Sequence, residues 1–324
     1  MKKISILVPC FNEEKNIKPM AEALTEQMSL FADRYEYEII FRDNASKDNS
    51  VGIFREIASQ DSHIKVIVNA RNYGISREKN SFIGRVSGDV IITIPCDFQE
   101  PPELLPKFIE YWEMGYEAVC GQKTSSKEGR FKYGLRQIFY KIIDTLSTTP
   151  QYRNMSGITL LSRRIWDLKV QYNPGMAARY FLADLGCDIK LIQYEQQKRK
   201  SGKSSYNLWR YLSFAIDSLI STSRVPLRFA TVSGVLMSMD TFVTGIVYLI
   251  YKLIYWQRFT AGTAPILISS LFVGSVLLFF IGIVGEYVGA ILQKVSDKNP
   301  PVVKELINFD GFDDDPLYIK KVME

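Results

Sequence analysis

The chain has 324 residues, of which 47% are hydrophobic and 23% are charged, and its formal net charge is +5. This length allows one large core or two modest ones, and the composition excludes a disordered or low-complexity protein. With 13 prolines and 20 glycines the chain is also not a fibrous repeat.

The charge is unevenly distributed along the chain. The net charge is −5 for residues 1–120 and +12 for residues 121–228. It is zero for residues 229–292 and −2 for residues 293–324. A basic block followed by an apolar block favours an anionic membrane surface, or an anionic substrate held beside one. Nucleic acid is the competing partner of a basic block, and the apolar block argues against it, so we expect no nucleic acid.

The first 120 residues alternate short β-branched runs with helical patterns, which predicts an α/β fold with a mostly parallel sheet covered by helices on both faces. The predicted strands are 4–8, 37–41, 64–68 and 90–94, and the predicted helices are 17–31, 50–59 and 76–86. Ligands of such sheets bind at the carboxyl ends of the strands. Polar or turn-forming residues follow these ends at 9–13, 43–48, 71–74 and 95–99.

The fourth strand end carries the pattern that suits a metal ion. No GxGxxG or P-loop lysine motif occurs in the sequence, so carboxylates, a metal ion and basic side chains would have to hold a phosphate-bearing ligand. Asp97 and Gln99 lie two residues apart on what we predict to be an extended chain, so we expect their side chains to point to the same side. Both side chains offer hard oxygen ligands. Such ligands suit Mg²⁺ or Mn²⁺ bridging a diphosphate. At a neighbouring strand end, Asp43 could accept hydrogen bonds from a nucleobase.

The second half of the chain has a membrane-type pattern. Residues 131–149 and 206–228 combine basic residues with aromatics at helical spacing, which predicts helices at a membrane surface, with ordinary core packing as the alternative. Two apolar runs at about 229–253 and 263–290 are each long enough to cross a bilayer. A pair of buried helices in a soluble protein is the alternative for these runs.

The charge pattern and the first residues bear on the compartment, and the cysteines and the histidine bear on metal binding. The positive-inside rule, with an even number of crossings, predicts that both ends of the chain are cytoplasmic. The first residues are too soon interrupted by polar side chains to predict a signal peptide. The four cysteines form no CxxC pair and there is one histidine, which argues against structural zinc.

The predicted organisation has four parts. They are a cytoplasmic catalytic domain at 1–205 that contains the helix 131–149, a juxtamembrane amphipathic helix at 206–228, two transmembrane helices within 229–292, and a cytoplasmic C-terminal tail at 293–324.

Taken together, several segments resemble the family 2 glycosyltransferases, in the branch that moves a sugar from a nucleotide to a polyprenyl phosphate. This branch includes dolichyl-phosphate mannose synthases and bactoprenol glucosyltransferases. The matching segments are 8–14, 43–48, 71–74, 97–103, 160–164, 199–206, 225–228 and 285–287. The resemblance covers about residues 3–303. It implies a GT-A type, Rossmann-like sheet, interfacial helices and a two-helix transmembrane hairpin.

The resemblance also implies roles for the residues at the matching positions. The nucleotide-binding candidates are Pro9, Asn12, Glu13, Asp43, Ser46, Arg71 and Gly74. The candidates for binding Mg²⁺ or Mn²⁺ are Asp97 and Gln99, and the catalytic candidates are Asp97 and Arg199. The candidates for the acceptor phosphate are Lys123, Arg130, Lys132, Arg199, Lys203 and Ser204, of which Arg130 is included for its charge and location alone.

Several positions depart from the family pattern, and three of them replace an aspartate. Pro95 stands where relatives usually carry the first aspartate of Asp-x-Asp-x-Gln, Gly157 stands where many carry another aspartate, and Asn44 replaces the second aspartate of Asp-Asp-Gly-Ser. A phosphate monoester has its second pKa near ~6 and is already anionic at neutral pH. Such a nucleophile needs positioning and charge screening more than deprotonation, so the loss of a carboxylate is tolerable.

The function that the resemblance implies is a membrane-bound, inverting glycosyltransferase. It would move a sugar from a UDP-sugar to undecaprenyl phosphate at the bacterial inner membrane, for modification of cell-surface polysaccharide, and homo-oligomerisation is left open. Pro95 and Gly157 motivate one alternative, a catalytically silent membrane scaffold or nucleotide-sugar sensor. A processive polysaccharide synthase is the other alternative, although Lys200 replaces the tryptophan of the Gln-x-x-Arg-Trp motif that those enzymes need.

Overall fold

The structure is a computed structural model, and it describes residues 1–124, 152, 154–172, 178–197, 225–254, 263–296 and 301–310. The chain divides into two compact units. The first contains 1–137, 149–205 and 294–324, and the second contains 138–148 and 206–293.

From residue 2 to residue 123 the described strands alternate with helices, as predicted for the first 120 residues. The strands are β1 (Lys2–Cys10), β2 (Tyr35–Asp43), β3 (Ile64–Asn69), β4 (Val90–Thr93), β5 (Ala118–Lys123), β6 (Met155–Ser162), β7 (Ile189–Tyr194) and β8 (Val303–Ile307). The α-helices are α1 (Glu14–Ser29), α2 (Ser50–Gln60), α3 (Gly74–Arg77), α4 (Leu105–Glu113), α5 (Arg163–Tyr172), α6 (Ala178–Leu185), α7 (Val225–Ile254) and α8 (Thr263–Ser296). Two short 3₁₀ helices are Glu78–Phe82 and Pro102–Leu104.

The eight strands form one mixed sheet in the order β7-β5-β6-β4-β1-β2-β3-β8. Strand β6 runs antiparallel to β4 and β5, β8 runs antiparallel to β3, and the other neighbours are parallel. The register places Cys10 beside Asp43 and Asp43 beside Val68. The ends of β1, β2 and β3 therefore lie side by side at one edge of the sheet.

Both faces of the sheet are buried, which is why its central strands are nearly continuous apolar runs. On one face, Ile4, Ile6 and Val8 pack in a cluster that includes residues of α1, α2 and α4. On the other face, Leu7 packs in a cluster with residues of α5 and α6 such as Ile165. This arrangement confirms the predicted α/β fold of GT-A type with helices on both faces.

The predicted helix at 76–86 is wrong. The chain makes a single turn of α-helix, α3, and then the 3₁₀ helix that ends at Phe82. Gly84 follows with a φ of +76°, in the left-handed region that breaks a helix. Polar side chains hold the segment in this form, because the Ser81 hydroxyl donates to Asn69 Oδ1 at 2.7 Å and Arg85 donates to the Ser81 carbonyl at 2.8 Å.

Part of the predicted C-terminal tail is a strand of the sheet. Strand β8 covers the edge of β3, and Val303 is fully buried. The Arg55 side chain of α2 forms two hydrogen bonds with the Glu305 carboxylate, at 2.9 and 2.7 Å. Periodicity could not show this pairing, since five residues are too few to distinguish a strand from a tail.

Helices α7 and α8 contain the two predicted apolar spans. The stretches Phe229–Val247 and Phe272–Leu292 are long and apolar enough to cross a membrane. Their described large side chains are mostly exposed, as Leu236 and Leu278 show at 62% and 71%. The predicted interfacial helix at 131–149 lies outside the described residues, as do residues 206–224 of the predicted helix at 206–228. Residues 225–228 of that helix form the start of α7.

Replacing Glu38 tests the electrostatics of the core. Burial opposes ionisation of this side chain, but hydrogen bonds from Lys65, Ser5 and Ser87 outweigh that effect and lower its pKa to about 2. Because the ordinary pKa is 4.5, the ionised carboxylate stabilises the fold above about pH 4.5, and this contribution is lost as the pH falls toward 2. We expect Glu38→Gln to lower the free energy of unfolding by about 1–3 kcal/mol at pH 7.

Denaturant unfolding followed by tryptophan fluorescence at pH 7 and pH 3 measures this effect. The difference between variant and wild type should shrink at pH 3. An equal loss at both pH values would contradict the electrostatic explanation.

Candidate functional site

Two loops at the strand ends are bound to each other. The Asn12 backbone N–H donates to the Ser46 hydroxyl at 2.8 Å, and the Lys47 N–H donates to Asn12 Oδ1 at 2.8 Å. The Glu13 N–H donates to the Ser50 hydroxyl at 3.3 Å. The loop after β1 and the loop after β2 therefore form one rim, which joins three of the predicted nucleotide-binding residues.

Asp43 lies at the base of this rim and is fully buried. One carboxylate oxygen accepts a hydrogen bond from the Ser46 N–H at 2.9 Å, and the other, Oδ1, has no hydrogen-bond partner among the described residues. Burial raises the pKa of Asp43, and the hydrogen bonds from Ser46 oppose that rise. A buried oxygen without a partner is costly, and a ligand N–H would satisfy it.

Asn44 connects this rim to the loop after β3. Its Oδ1 accepts hydrogen bonds from the Asn69 side chain at 3.2 Å and from the Tyr73 N–H at 3.1 Å. Its amide Nδ2 donates to Asn72 Oδ1 at 3.1 Å, and the same oxygen accepts the Gly74 N–H at 2.9 Å. Asparagine both accepts and donates here, and an aspartate could not donate to Asn72. The departure at position 44 therefore fits this loop.

Asp97 and Gln99 lie on a turn rather than on the predicted extended chain. Phe98, between them, has a φ of +59°, and the Gln99 N–H donates to Asp97 Oδ1 at 3.2 Å. The expectation that both side chains point the same way because the chain is extended is therefore wrong. Both residues are half-buried, and no group of three or more His, Cys, Asp or Glu residues that could hold a metal occurs in the described ranges. One carboxylate and one amide oxygen still fit Mg²⁺, which is commonly bound by one or two carboxylates together with substrate phosphates.

Glu100 is a buried residue for which the sequence patterns predict no individual role. Its Oε1 accepts hydrogen bonds from the Tyr194 hydroxyl at 3.1 Å and the Gly157 N–H at 3.4 Å, and it lies 3.7 Å from the Lys123 ammonium. Burial raises the pKa of Glu100, Lys123 opposes the rise, and Asp97 adds to it. One oxygen thus joins the ends of β5, β6 and β7, three strands whose convergence the sequence could not show.

Two departures from the family pattern touch each other. A Cβ placed on Gly157 would lie 2.7 Å from Cγ of Pro95, closer than carbon atoms pack, and 3.8 Å from Glu100 Oε1. The proline ring therefore occupies the space that a side chain at position 157 would need. The two residues are complementary, which the separate positions in the sequence did not indicate.

The structure brings most of the described candidates together at the strand ends. Asn12, Asp43 and Ser46 are joined by hydrogen bonds, and Asn44 connects them to the loop that carries Arg71 and Gly74. Candidates that lie outside the described residues are Arg130, Lys132, Arg199, Lys203 and Ser204.

Comparison with known proteins gives two family matches. The family described as Glycosyl transferase family 2 matches residues 5–180, and the GtrB C-terminal hairpin matches residues 225–291. The "SfII prophage-derived bactoprenol glucosyl transferase" of Shigella flexneri is 30% identical to this chain. The matched region covers 94% of this chain and 98% of that relative. The "Uncharacterized glycosyltransferase YkcC" of Bacillus subtilis is 30% identical, over 93% of each chain. Among solved structures, glucosyl-3-phosphoglycerate synthase from Mycobacterium tuberculosis, in complex with Mn²⁺, UDP and phosphoglyceric acid, is 18% identical with a TM-score of 0.45, over 68% of this chain and 78% of that one.

The contact between Pro95 and Gly157 predicts a coupled pair of substitutions. We expect Gly157→Ala to destabilise the protein by about 1–3 kcal/mol, because the new methyl group clashes with a rigid proline ring. Adding Pro95→Ala should recover most of that loss, since it removes the clashing atoms. A double-mutant cycle on the free energy of unfolding measures the coupling, and additive losses would contradict the proposed contact.

Proposed function

Since the chain belongs to the family 2 glycosyltransferases, we propose that it transfers a sugar from a UDP-sugar to a polyprenyl phosphate at a membrane. The observation that carries the proposal is the similarity to bactoprenol glucosyl transferases along 94% of the chain, including the C-terminal hairpin. The acceptor class comes from these relatives, and the donor class comes from the chemistry of the strand ends.

The rim formed by the loops after β1, β2 and β3 is proposed to hold the nucleotide. The buried Asp43 Oδ1 has no hydrogen-bond partner among the described residues, and the imide N–H of a uracil could supply one. Asn12 and Ser46 line the same rim, and Arg71 adds positive charge next to it. Pro9, Glu13 and Gly74 belong to the same strand ends and complete the proposed set.

Asp97 and Gln99 are the residues that would hold Mg²⁺ or Mn²⁺. When bound, such an ion supplies positive charge that stabilises the departing diphosphate. The proposed reaction is a direct displacement, in which an oxygen of the lipid phosphate forms a bond to the anomeric carbon while the bond from that carbon to UDP breaks. The configuration of the anomeric carbon is thereby inverted, and no proton has to be removed from the nucleophile.

Lys123 is the described candidate for the acceptor phosphate. Glu100 lies 3.7 Å from its ammonium group and restricts where that group can lie. Arg130, Lys132, Arg199, Lys203 and Ser204 are proposed to act with it, and Arg199 is also the second catalytic candidate.

The length and apolar composition of helices α7 and α8 support a membrane location, and the return of the chain to the sheet bears on the number of crossings. Strand β8 follows α8 and pairs with β3, so residues before and after the two helices belong to one sheet. If the helices cross a bilayer, they must cross it an even number of times. We propose two crossings of the bacterial inner membrane, with the catalytic domain and both termini in the cytoplasm.

Replacing Asp97 tests the catalytic proposal. Membranes containing the full chain would be offered labelled UDP- and GDP-sugars with undecaprenyl phosphate, and transfer would be measured as label that enters organic solvent. We expect wild-type transfer from a UDP-sugar that requires added Mg²⁺ or Mn²⁺. Asp97→Asn should reduce it by at least about a hundredfold, because it removes the site's charged ligand.

Asp33→Asn is the matched control, since this exposed aspartate lies before β2, at the opposite end of that strand. It should transfer sugar as the wild type does. Near-normal transfer by Asp97→Asn would contradict the metal assignment. Binding of a UDP-sugar without any turnover would instead support a sensor.

A further inference from the structure

The C-terminal strand reaches the loop that carries Arg71 and Gly74. Strand β8 pairs with β3 as far as Asn69, which lies opposite Val303. Beyond that pair, the Ala70 N–H donates to the Val302 carbonyl at 2.9 Å, and the Val302 N–H donates to the Tyr73 hydroxyl at 3.1 Å. The contact between the two segments therefore continues past the strand and into the loop.

Tyr73 is central to the conformation of this loop. Its backbone N–H donates to Asn44 Oδ1 at 3.1 Å. Its ring lies under two guanidinium groups, with the Arg71 carbon 4.2 Å and the Arg77 carbon 4.9 Å from the ring centroid. Cation–π contacts of this kind hold a cation over the ring face. Val302 therefore restrains the ring, and the ring in turn restrains two positively charged side chains.

Other contacts fasten β8 away from this loop. Asn308 donates from its side-chain amide to the carbonyls of Ala58 and Ile64, at 2.7 and 2.8 Å. Glu305 forms two hydrogen bonds with Arg55. Because these contacts do not involve Tyr73, the strand should stay in place when the bond between Tyr73 and Val302 is removed. The effect of that single bond on the loop can therefore be measured.

We propose that β8 is a positioning element of the donor site. Val302 orients Tyr73, and Tyr73 places Arg71 and Arg77 for the diphosphate or the base of the donor. This inference rests on the proposed function, which assigns the loop to the nucleotide. It makes a segment that follows the apolar helices, more than 220 residues from the loop along the sequence, a part of the nucleotide site.

The test uses the full chain in detergent or nanodiscs, with UDP as the probe. Tyr73→Phe removes the hydroxyl and keeps the ring. Val302→Pro removes the backbone N–H that donates to this hydroxyl. Each variant should raise the dissociation constant of UDP about two- to tenfold, as expected for one lost hydrogen bond. The double variant should bind UDP no more weakly than whichever single variant has the higher dissociation constant, because both changes remove the same hydrogen bond.

Glu305→Gln is the matched control on the same strand. It weakens an exposed ion pair on the α2 side of β8, and UDP affinity should match that of the wild type. Hydrogen exchange of residues 70–74 without ligand gives a second readout, and it should be faster in Tyr73→Phe at an unchanged melting temperature.

The outcomes separate the two proposals. Wild-type affinity for UDP in both Tyr73→Phe and Val302→Pro would overturn the positioning role. Failure of the wild type to bind UDP would overturn the proposed function. In that case hydrogen exchange of residues 70–74 would test the role of β8 in positioning the loop. An unchanged rate in Tyr73→Phe would overturn this role, and a faster rate would support it.

Discussion

The register between β1 and β2 is the constraint from which the candidate site follows. Because Cys10 lies beside Asp43, both strands end at the same level, and the loops that leave them are close enough to exchange hydrogen bonds. Asn12 and Ala45 each turn the chain with a positive φ immediately after these ends. That backbone conformation costs about 1 kcal/mol for a residue with a side chain. The hydrogen bonds between Asn12, Ser46 and Lys47 offset this cost and hold the rim in one form.

The other half of the site depends on Glu100. A buried carboxylate needs hydrogen-bond donors or an opposite charge, and here Tyr194, Gly157 and Lys123 provide them from three different strands. The Pro95 ring fills the space beside Gly157, and the Gly157 N–H donates to the Glu100 carboxylate at 3.4 Å. The family's aspartates at positions 95 and 157 are thus replaced by a proline and a glycine that pack together next to Glu100.

Strand β8 joins the C-terminal part of the described chain to β3. A sheet edge left open exposes unpaired backbone groups, and β8 covers the edge of β3 with a segment that follows helix α8. The same pairing requires that the chain leave the first unit and return to it. The return also brings Val302 to Tyr73, so the edge of the sheet and the loop after β3 share one set of backbone contacts.

Much of the fold and part of the site were predictable from the sequence. Strands β1 to β4 and helices α1 and α2 follow from apolar runs and periodicity, because these patterns depend on neighbours along the chain. The polar strand ends at Asn12, Asp43 and Asp97 were also predictable. A parallel sheet brings the carboxyl ends of its strands together wherever they fall in the sequence. The resemblance to the family's motifs is the basis of the roles proposed for these residues.

Only the tertiary structure decided the contacts between segments that are far apart in the sequence. The helical pattern at 76–86 was overridden by Gly84 and by the bond from Ser81 to Asn69. The role of Glu100, the fit of Pro95 against Gly157 and the pairing of β8 depend on which strands become neighbours. Sequence patterns record local spacing, whereas burial and hydrogen bonding of these groups arise only when the sheet is assembled.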